Sequence, residues 1–231
     1  MKKTEKKEIV KIQNLNFSYD DNCILKNLNL IIYKGEFVGI TGVNGAGKST
    51  LVKLILGELK IKSGDIFIED KNIKNFKNMN RIGYVPQLAV GKRADFPATA
   101  LETVMLNLYP EIGLFRLPQK KHRLKAHDAL KLVGMEEYCD RMIGKLSGGQ
   151  QQRVMIAKAL VSDPEILIMD EPTTGVDTDT TKQIFDLLKH LNKLHGITIT
   201  VISHDLPYIY ECADRIFNLK DKCAEEIKLR N

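Results

Sequence analysis

Gly42-Val43-Asn44-Gly45-Ala46-Gly47-Lys48-Ser49-Thr50 is the stretch that decides how this chain is read. It follows the apolar run Phe37, Val38, Gly39 and Ile40 and opens a helical pattern at Leu51, Leu54 and Ile55. Strand, glycine-rich loop and helix, in that order, is the setting in which G-x-x-x-x-G-K-[ST] becomes a phosphate site. Gly42, Gly45 and Gly47 let the backbone curl so that successive N–H groups point inward as an anion nest. The helix that follows presents its unpaired N–H groups and positive dipole end to the same phosphates. Lys48 is placed to reach the β- and γ-phosphates of a nucleotide, and the Ser49 hydroxyl to bind Mg²⁺. A glycine-rich turn that binds nothing is the alternative. Chance places the whole pattern in roughly one chain in a hundred of this length. Alone it says nucleotide and no more.

With 231 residues, 43% of them apolar and 28% charged, the chain reads as globular and soluble, one large domain or two packed lobes. No apolar run approaches the roughly 18 residues a bilayer span needs. The amino-terminal MKKTEKKE lacks the apolar segment of a secretory signal. Cys23, Cys139, Cys212 and Cys223 are scattered and read as reduced thiols, not a disulfide frame or zinc site. His122 with His127, and His190 with His195, have no supporting carboxylate or cysteine constellation and read as solvated helix histidines. The net charge is +6. The cluster Arg116, Lys120, Lys121, Arg123 and Lys125 reads as a solvated face, in preference to a nucleic-acid or anionic-membrane surface.

Along the chain, Val10, Ile12, Leu15, Phe17 and Tyr19, then Leu28, Leu30 and Ile32, predict antiparallel strands. Tyr19 could stack on adenine. Gly57 is a candidate helix C-cap, Ser63-Gly64 a turn, and Ile66 with Ile68 a further strand. Arg81 to Val85 is a short strand cut off by Pro86, with Gln87 on the loop beyond. The polar stretch Ala89 to Pro97 reads as a mobile connection. Helical spacing follows at Leu101, Val104, Met105 and Leu108, and again at Leu124, Ala126, Leu130 and Val133, with Gly134 closing the turn. No strand is expected from about residue 88 to 160.

Leu146-Ser147-Gly148-Gly149-Gln150 closes that region. Ser147 is a good N-cap, and the two glycines leave the first N–H groups unobstructed, which makes a second anion site. After Pro164 the run Ile166 to Met169 fits a buried parallel strand ending in Asp170-Glu171. Acidic groups at the carboxyl end of a core strand sit where open α/β sheets bind ligands. Asp170 can hold Mg²⁺ through water, and Glu171 is placed to orient or deprotonate an attacking water. Asp177 follows in Thr173-Thr174-Gly175-Val176-Asp177. Ile184, Leu187, Leu188, Leu191 and Leu194 then mark an amphipathic helix stopped by Gly196. The strand Ile197 to Ile202 delivers Ser203-His204-Asp205, and Asp205 with Pro207 reads as the cap and first turn of a helix.

Taken together the motifs resemble the nucleotide-binding subunit of an ATP-binding cassette transporter across essentially the whole length. The resemblance implies Tyr19 as the adenine-stacking aromatic and Gly42 to Thr50 as the nucleotide loop. It implies Gln87 as the glutamine-loop residue that reaches the metal, and Ser147 to Gln150 as the family signature. Asp170 and Glu171 correspond to the metal-associated acid and catalytic glutamate, Asp177 closes the D-loop, and His204 is the switch histidine. The implied fold is α/β, a RecA-like phosphate-loop NTPase core with an amino-terminal antiparallel β subdomain and an inserted helical subdomain. The implied boundaries are core at 1–87 and 161–231, helical insert at 88–160.

The same resemblance implies ATP with Mg²⁺, and a head-to-tail dimer in which Ser147 and Gly149 face the partner's nucleotide. It also implies separate membrane permease subunits, a solute-binding protein acting indirectly, and residence at the cytoplasmic face of the membrane, with no nucleic-acid partner. The alternative is a soluble cassette ATPase such as one for iron–sulfur assembly, whose signature departs after Leu-Ser-Gly-Gly, whereas this chain continues Gln150 to Arg153. Phe96-Pro97-Ala98-Thr99, and Ser203-His204-Asp205 running into Ala213 to Ile216, are similar to zinc and manganese importers. The short carboxyl terminus agrees, being too short for an added regulatory domain.

Overall fold

Alternating apolar residues build an antiparallel sheet early in the chain, and continuous apolar runs build parallel strands later. The structure is a computed structural model and describes residues 6–87, 97–113 and 115–228. The connection expected to be mobile therefore lies, up to residue 96, outside the described residues, as does Phe96. In chain order the elements are β1 (Glu8–Tyr19), β2 (Asn22–Tyr33), β3 (Phe37–Gly42), α1 (Lys48–Ile55), β4 (Ser63–Ile68), β5 (Lys71–Asn72), β6 (Ile82–Val85), α2 (Ala100–Met105), α3 (Tyr109–Ile112) and α4 (Lys120–Leu132). They continue with α5 (Gly148–Leu160), β7 (Ile166–Asp170), α6 (Thr178–His195), β8 (Thr198–Ile202), α7 (Leu206–Cys212), β9 (Arg215–Lys220) and β10 (Cys223–Ile227). The chain divides into two compact units, one of residues 1–79 and 189–231, the other of residues 80–188. The stretch read as a helical insert falls in the second unit, which also takes in β6 and β7.

In the first unit, one sheet has the order β2-β1-β4-β5. Val10 and Ile12 are buried on β1, then Leu15 and Phe17, so the inward phase slips by one residue between them. Asn14, at φ 48°, is where the slip occurs, and the β1–β2 register shifts there too. Asparagine side chains stitch the irregular edges: Asn29 Oδ1 accepts from the Asn14 N–H at 2.9 Å, and Asn16 Oδ1 from the Asn27 N–H at 2.9 Å. Ser63-Gly64, expected as a turn, is instead the start of β4. Its register on β1 shifts at the same bulge. Gly64 has φ +84°, and a Cβ there would lie 2.4 Å from the Asn14 carbonyl oxygen.

The other strands of this unit are parallel where they matter. β3 pairs with β8 on one side and β9 on the other, and β10 closes antiparallel on β9. Every residue of β8 is buried, as a strand covered on both faces must be. α1 buries Leu51, Val52, Leu54 and Ile55, each contributing about 1.5–3 kcal/mol of transfer free energy. It ends as the sequence predicts: the Gly57 N–H bonds Leu54 O at 3.1 Å and the Glu58 N–H bonds Lys53 O at 2.9 Å, a Schellman closure.

In the second unit β6 and β7 pair in parallel, and α2, α4 and α5 pack together. Among the described residues no strand lies between β6 and β7, only an isolated bridge, Thr99 to Met142. Thr99 caps α2 reciprocally, with Glu102 accepting from the Thr99 N–H at 2.8 Å and Thr99 Oγ1 from the Glu102 N–H at 3.2 Å. The Thr99 N–H and hydroxyl, both donating to Glu102 Oε2, hold the Glu102 carboxyl below its usual range. α4 corrects two expectations. His122, read as solvated, is 3% exposed, and its Nδ1 accepts from the Gln119 N–H at 2.9 Å, closing the helix start. Leu124, placed on the apolar face by spacing, is 61% exposed. Lys125 pairs with Glu111 at 3.2 Å and Asp163 at 3.1 Å, while Arg116, Lys120, Lys121 and Arg123 are exposed.

α6 also departs from the simple pattern. Thr181, Ile184, Phe185, Leu188, Leu191 and Asn192 are buried, and Leu194 is 71% exposed. Asn192 takes the inward place because its amide donates to the carbonyls of Gly35 and Ile197, both at 2.9 Å.

Two glycines with similar backbones should respond very differently to a side chain. Gly196→Ala, with no atom within 4 Å of the new Cβ, should cost about 1 kcal/mol in urea unfolding. Gly64→Ala drives a Cβ into the fixed backbone of Asn14 and should cost more than about 2 kcal/mol. Equal losses would show that β4 does not dock tightly on the bulge.

Candidate nucleotide site

The glycine loop leaves β3 at Gly42, whose φ is +145° and where a Cβ would lie 2.6 Å from the Leu219 carbonyl oxygen. The loop therefore starts pressed against β9 and must turn away at once. It turns through Val43, Asn44 and Gly45, with the Ala46 N–H returning to Val43 O at 3.1 Å. Gly45, at φ +82°, has no atom within 4 Å of a virtual Cβ, so this side of the loop is open. Gly47 is the N-cap of α1, no side chain caps that helix, and its first turn holds no acidic residue. A helix start capped by glycine is one where an anion can approach the first turn. Lys48 Nζ donates to the carbonyls of Gly42 at 2.8 Å and Val43 at 3.2 Å. An ammonium has three donors, so a phosphate oxygen can take another. Ser49 is exposed and Thr50 half-buried on the same first turn.

β8 runs beside β3 with Ile40 opposite Ile202, and the Ser203 N–H bonds Ile40 O at 3.3 Å. The glycine loop and exposed His204 therefore leave neighbouring parallel strands at the same edge. The Ser203 hydroxyl accepts from the Asp205 N–H at 3.0 Å and turns the chain into α7. Asp205 is the N-cap residue of α7, but its side chain makes no cap bond. Tyr19, at the end of β1, is 43% exposed, with its ring edge-on to Phe17 at 4.9 Å.

The second unit repeats the arrangement. Val85 of β6 lies opposite Met169 of β7, so Gln87 and Asp170-Glu171 also emerge at one edge. Asp170 is 6% exposed. Glu171 has φ +50°, uncommon for a residue with a side chain, and its carbonyl accepts from the Thr174 N–H at 3.3 Å. Gln87 Nε2 lies 3.5 Å from Thr174 Oγ1, so the turn after β7 brings Thr174 to Gln87.

α5 starts in a capping box: Ser147 Oγ accepts from the Gln150 N–H at 3.3 Å, and Gln150 Oε1 from the Ser147 N–H at 3.0 Å. Gly149 is glycine for a reason that spacing did not reveal. A Cβ there would lie 2.3 Å from Thr180 Cγ2. Asp177 caps α6 through Thr180, accepting from its N–H at 2.9 Å and its hydroxyl at 2.7 Å. Asp-x-x-Thr before a helix is a capping pattern, and Asp177 with Thr180 supplies it. Tyr19, the glycine loop and His204 belong to the first unit; Gln87, Ser147 to Gln150, Asp170, Glu171 and Asp177 belong to the second.

Residues 25–174 match the ABC transporter family. A zinc uptake system ATP-binding protein of Listeria monocytogenes is 41% identical over 216 residues, covering 94% of this chain and 84% of that protein. A manganese transport system ATP-binding protein of Bacillus subtilis is 44% identical over 197 residues, covering 85% of this chain and 77% of that protein. Among solved structures, a dimeric ATP-binding cassette in a post-hydrolysis state, bound to ADP and Pi, superposes with a TM-score of 0.77. It is 33% identical, and the match covers 96% of this chain and 100% of that one.

The Thr180 hydroxyl and N–H together hold the Asp177 carboxyl below its usual range. These bonds favour the charged form, so this contribution to the α6 cap is present above the unfolded Asp pKa. It is lost as pH falls through the lowered folded value. In a carbon-13 titration of the carboxyl, Asp177 should titrate below an ordinary aspartate, and Thr180→Val should move it upward. An unmoved midpoint in Thr180→Val would contradict the assigned cause.

Proposed function

The chain belongs to the ABC transporter family and is an ATP-binding, ATP-hydrolysing cassette, and from that premise we propose that it energises the import of zinc or manganese. The cargo reading is carried by the relatives named for zinc uptake and manganese transport, at 41% and 44% identity. A cassette of iron–sulfur assembly is not favoured by these comparisons, and Gln150 to Arg153 continue the signature in the transporter manner.

In the proposed site Tyr19 stacks on the adenine, and Gly42 to Thr50 cradle the phosphates with Lys48 on the β- and γ-groups. The α1 start supports this, because its N-cap is Gly47, which has no side chain to cap the helix. Ser49, Gln87 and Asp170 offer a hydroxyl, an amide oxygen and a carboxylate, an all-oxygen set that suits a hard cation, Mg²⁺. Bound there, Mg²⁺ would neutralise phosphate charge. Glu171 orients the attacking water and accepts its proton, and His204 fixes the terminal phosphate from the neighbouring strand end.

Ser147 to Gln150 and Asp177 act on the nucleotide of a second copy. The box takes up the Ser147 and Gln150 N–H groups, so a phosphate at this helix start meets the N–H groups of Gly148 and Gly149. The dimeric relative bound to ADP and Pi supports the arrangement. Permease subunits would dock on this dimer at the cytoplasmic face of the membrane, with a solute-binding protein delivering metal from outside. Among the described residues no helix is long and apolar enough to cross a membrane, which fits a peripheral subunit.

Glu171→Gln keeps the shape and removes the charge. It should leave ATP affinity within about threefold while lowering kcat by about a hundredfold or more, whereas Lys48→Ala should weaken both. Steady-state ATPase assays with titration of a fluorescent ATP analogue make the comparison. Near-normal turnover in Glu171→Gln would overturn the assignment.

Cargo is tested in cells. Deleting the gene should impair growth in chelator-treated medium, with recovery on adding zinc or manganese and lowered cellular content of that metal. Unchanged metal content with loss of uptake of another solute would overturn the cargo reading.

A further inference from the structure

We propose that Thr180 is a positioning residue that sets the start of α5 against Asp177, and so fixes how both meet the partner's nucleotide. The inference rests on the dimer reading above and adds to it a residue outside every motif.

Thr180 is held at three points. Its N–H bonds Asp177 Oδ1 at 2.9 Å, its hydroxyl bonds Asp177 Oδ2 at 2.7 Å, and its methyl fills the space where a Gly149 Cβ would lie 2.3 Å away. The two branches of threonine leave Cβ at a fixed angle, and χ1 is stiff. Once the hydroxyl is committed to Asp177, the methyl can point only one way. It points at the first turn of α5. A second contact keeps the helices from rolling about that point: Arg153, one turn on from Gly149, donates to Gln183 Oε1 at 3.0 Å and to Val133 O at 3.2 Å. Gln183 is one turn on from Thr180, so α5 and α6 meet at two successive turns of matching faces.

The geometry distinguishes two small changes. Serine at 180 keeps the hydroxyl and loses the methyl. Valine keeps the shape and loses the bond to Asp177. The virtual Cβ of Gly149 lies 3.5 Å from both Cβ and Oγ1 of Thr180, ordinary contact, so only the methyl excludes alanine at 149. Gly149→Ala should therefore be tolerated when Thr180 is serine.

The test uses the full chain carrying Glu171→Gln, which the proposed function expects to accumulate the ATP-bound dimer. Sedimentation with ATP gives the dimer dissociation constant, and titration gives the ATP affinity of the single chain. Gly149→Ala should weaken the dimer by about tenfold or more, and adding Thr180→Ser should recover most of that loss. The single-chain ATP affinity should stay close to the parent's, which a general loss of structure would not allow. If the double variant is as weak as the two single losses multiplied, the Thr180 assignment is overturned. Ser147→Arg separates the two levels of the argument. If it still dimerises with ATP, the dimer reading fails and this inference with it. If it does not, additive losses count against Thr180 alone. Should Gly149→Ala fail to fold, Thr180→Ser and Thr180→Val carry the test, each expected to weaken the dimer several-fold at unchanged ATP affinity. A dimer unaffected by either would overturn the proposal.

Discussion

Parallel pairing levels the ends of neighbouring strands, and the candidate site is built on that constraint twice. Ile40 opposite Ile202 puts the glycine loop and Ser203-His204 at one edge; Val85 opposite Met169 does the same for Gln87 and Asp170-Glu171. All five residues of β7 and of β8 are buried, so neither strand can expose a charge to solvent before it ends. The chemistry is therefore concentrated where the strands stop, at their carboxyl ends, as ligand sites of open α/β sheets require. Parallel register also leaves no room for adjustment, since a slip of one residue would turn every side chain to the other face.

The two helix starts proposed to meet phosphate differ in how they are capped. α1 has Gly47 at its cap, a residue with no side chain to close the helix start. α5 is already closed by its own box, through a Gln150 to Ser147 bond of 3.3 Å, long for its kind. A phosphate approaching Ser147 meets a hydroxyl that is only loosely engaged and two glycine N–H groups beside it. On the proposed reading, the first start would retain the nucleotide and the second would make an association that can be undone.

Much of this was legible because the motifs are local. The glycine loop, the buried run into Asp170-Glu171, the Ser147 cap and the Gly57 closure each need only a few consecutive residues and the backbone rules that act on them. The misreadings share one cause, that periodicity assigns a side chain to a face without knowing what that face meets. His122 is buried because its ring closes the start of its own helix, and Asn192 because its amide satisfies two loop carbonyls. Leu124 and Leu194 fit the helical period and still lie outward. Gly149 was read as clearing the way for an anion, but packing against Thr180, thirty-one positions along the chain, also demands it. No window on one helix can show that.

Glu171 is one of several non-glycine residues with a positive φ, and it stands where β7 ends. At φ +50° its backbone lies where glycine or asparagine is comfortable, and a longer side chain there costs of the order of 1–3 kcal/mol. The turn itself is needed, since it ends β7, buries Pro172 and Thr173 and brings Thr174 back within reach of Gln87. Glycine would make that turn with less strain, yet it would leave no carboxylate beside Asp170. The strain is held in place by the buried strand before it and the buried Pro172-Thr173 after it, which leave the chain no softer path. In the role proposed for it, a carboxylate on a backbone held this way would need little reorganisation before orienting a water.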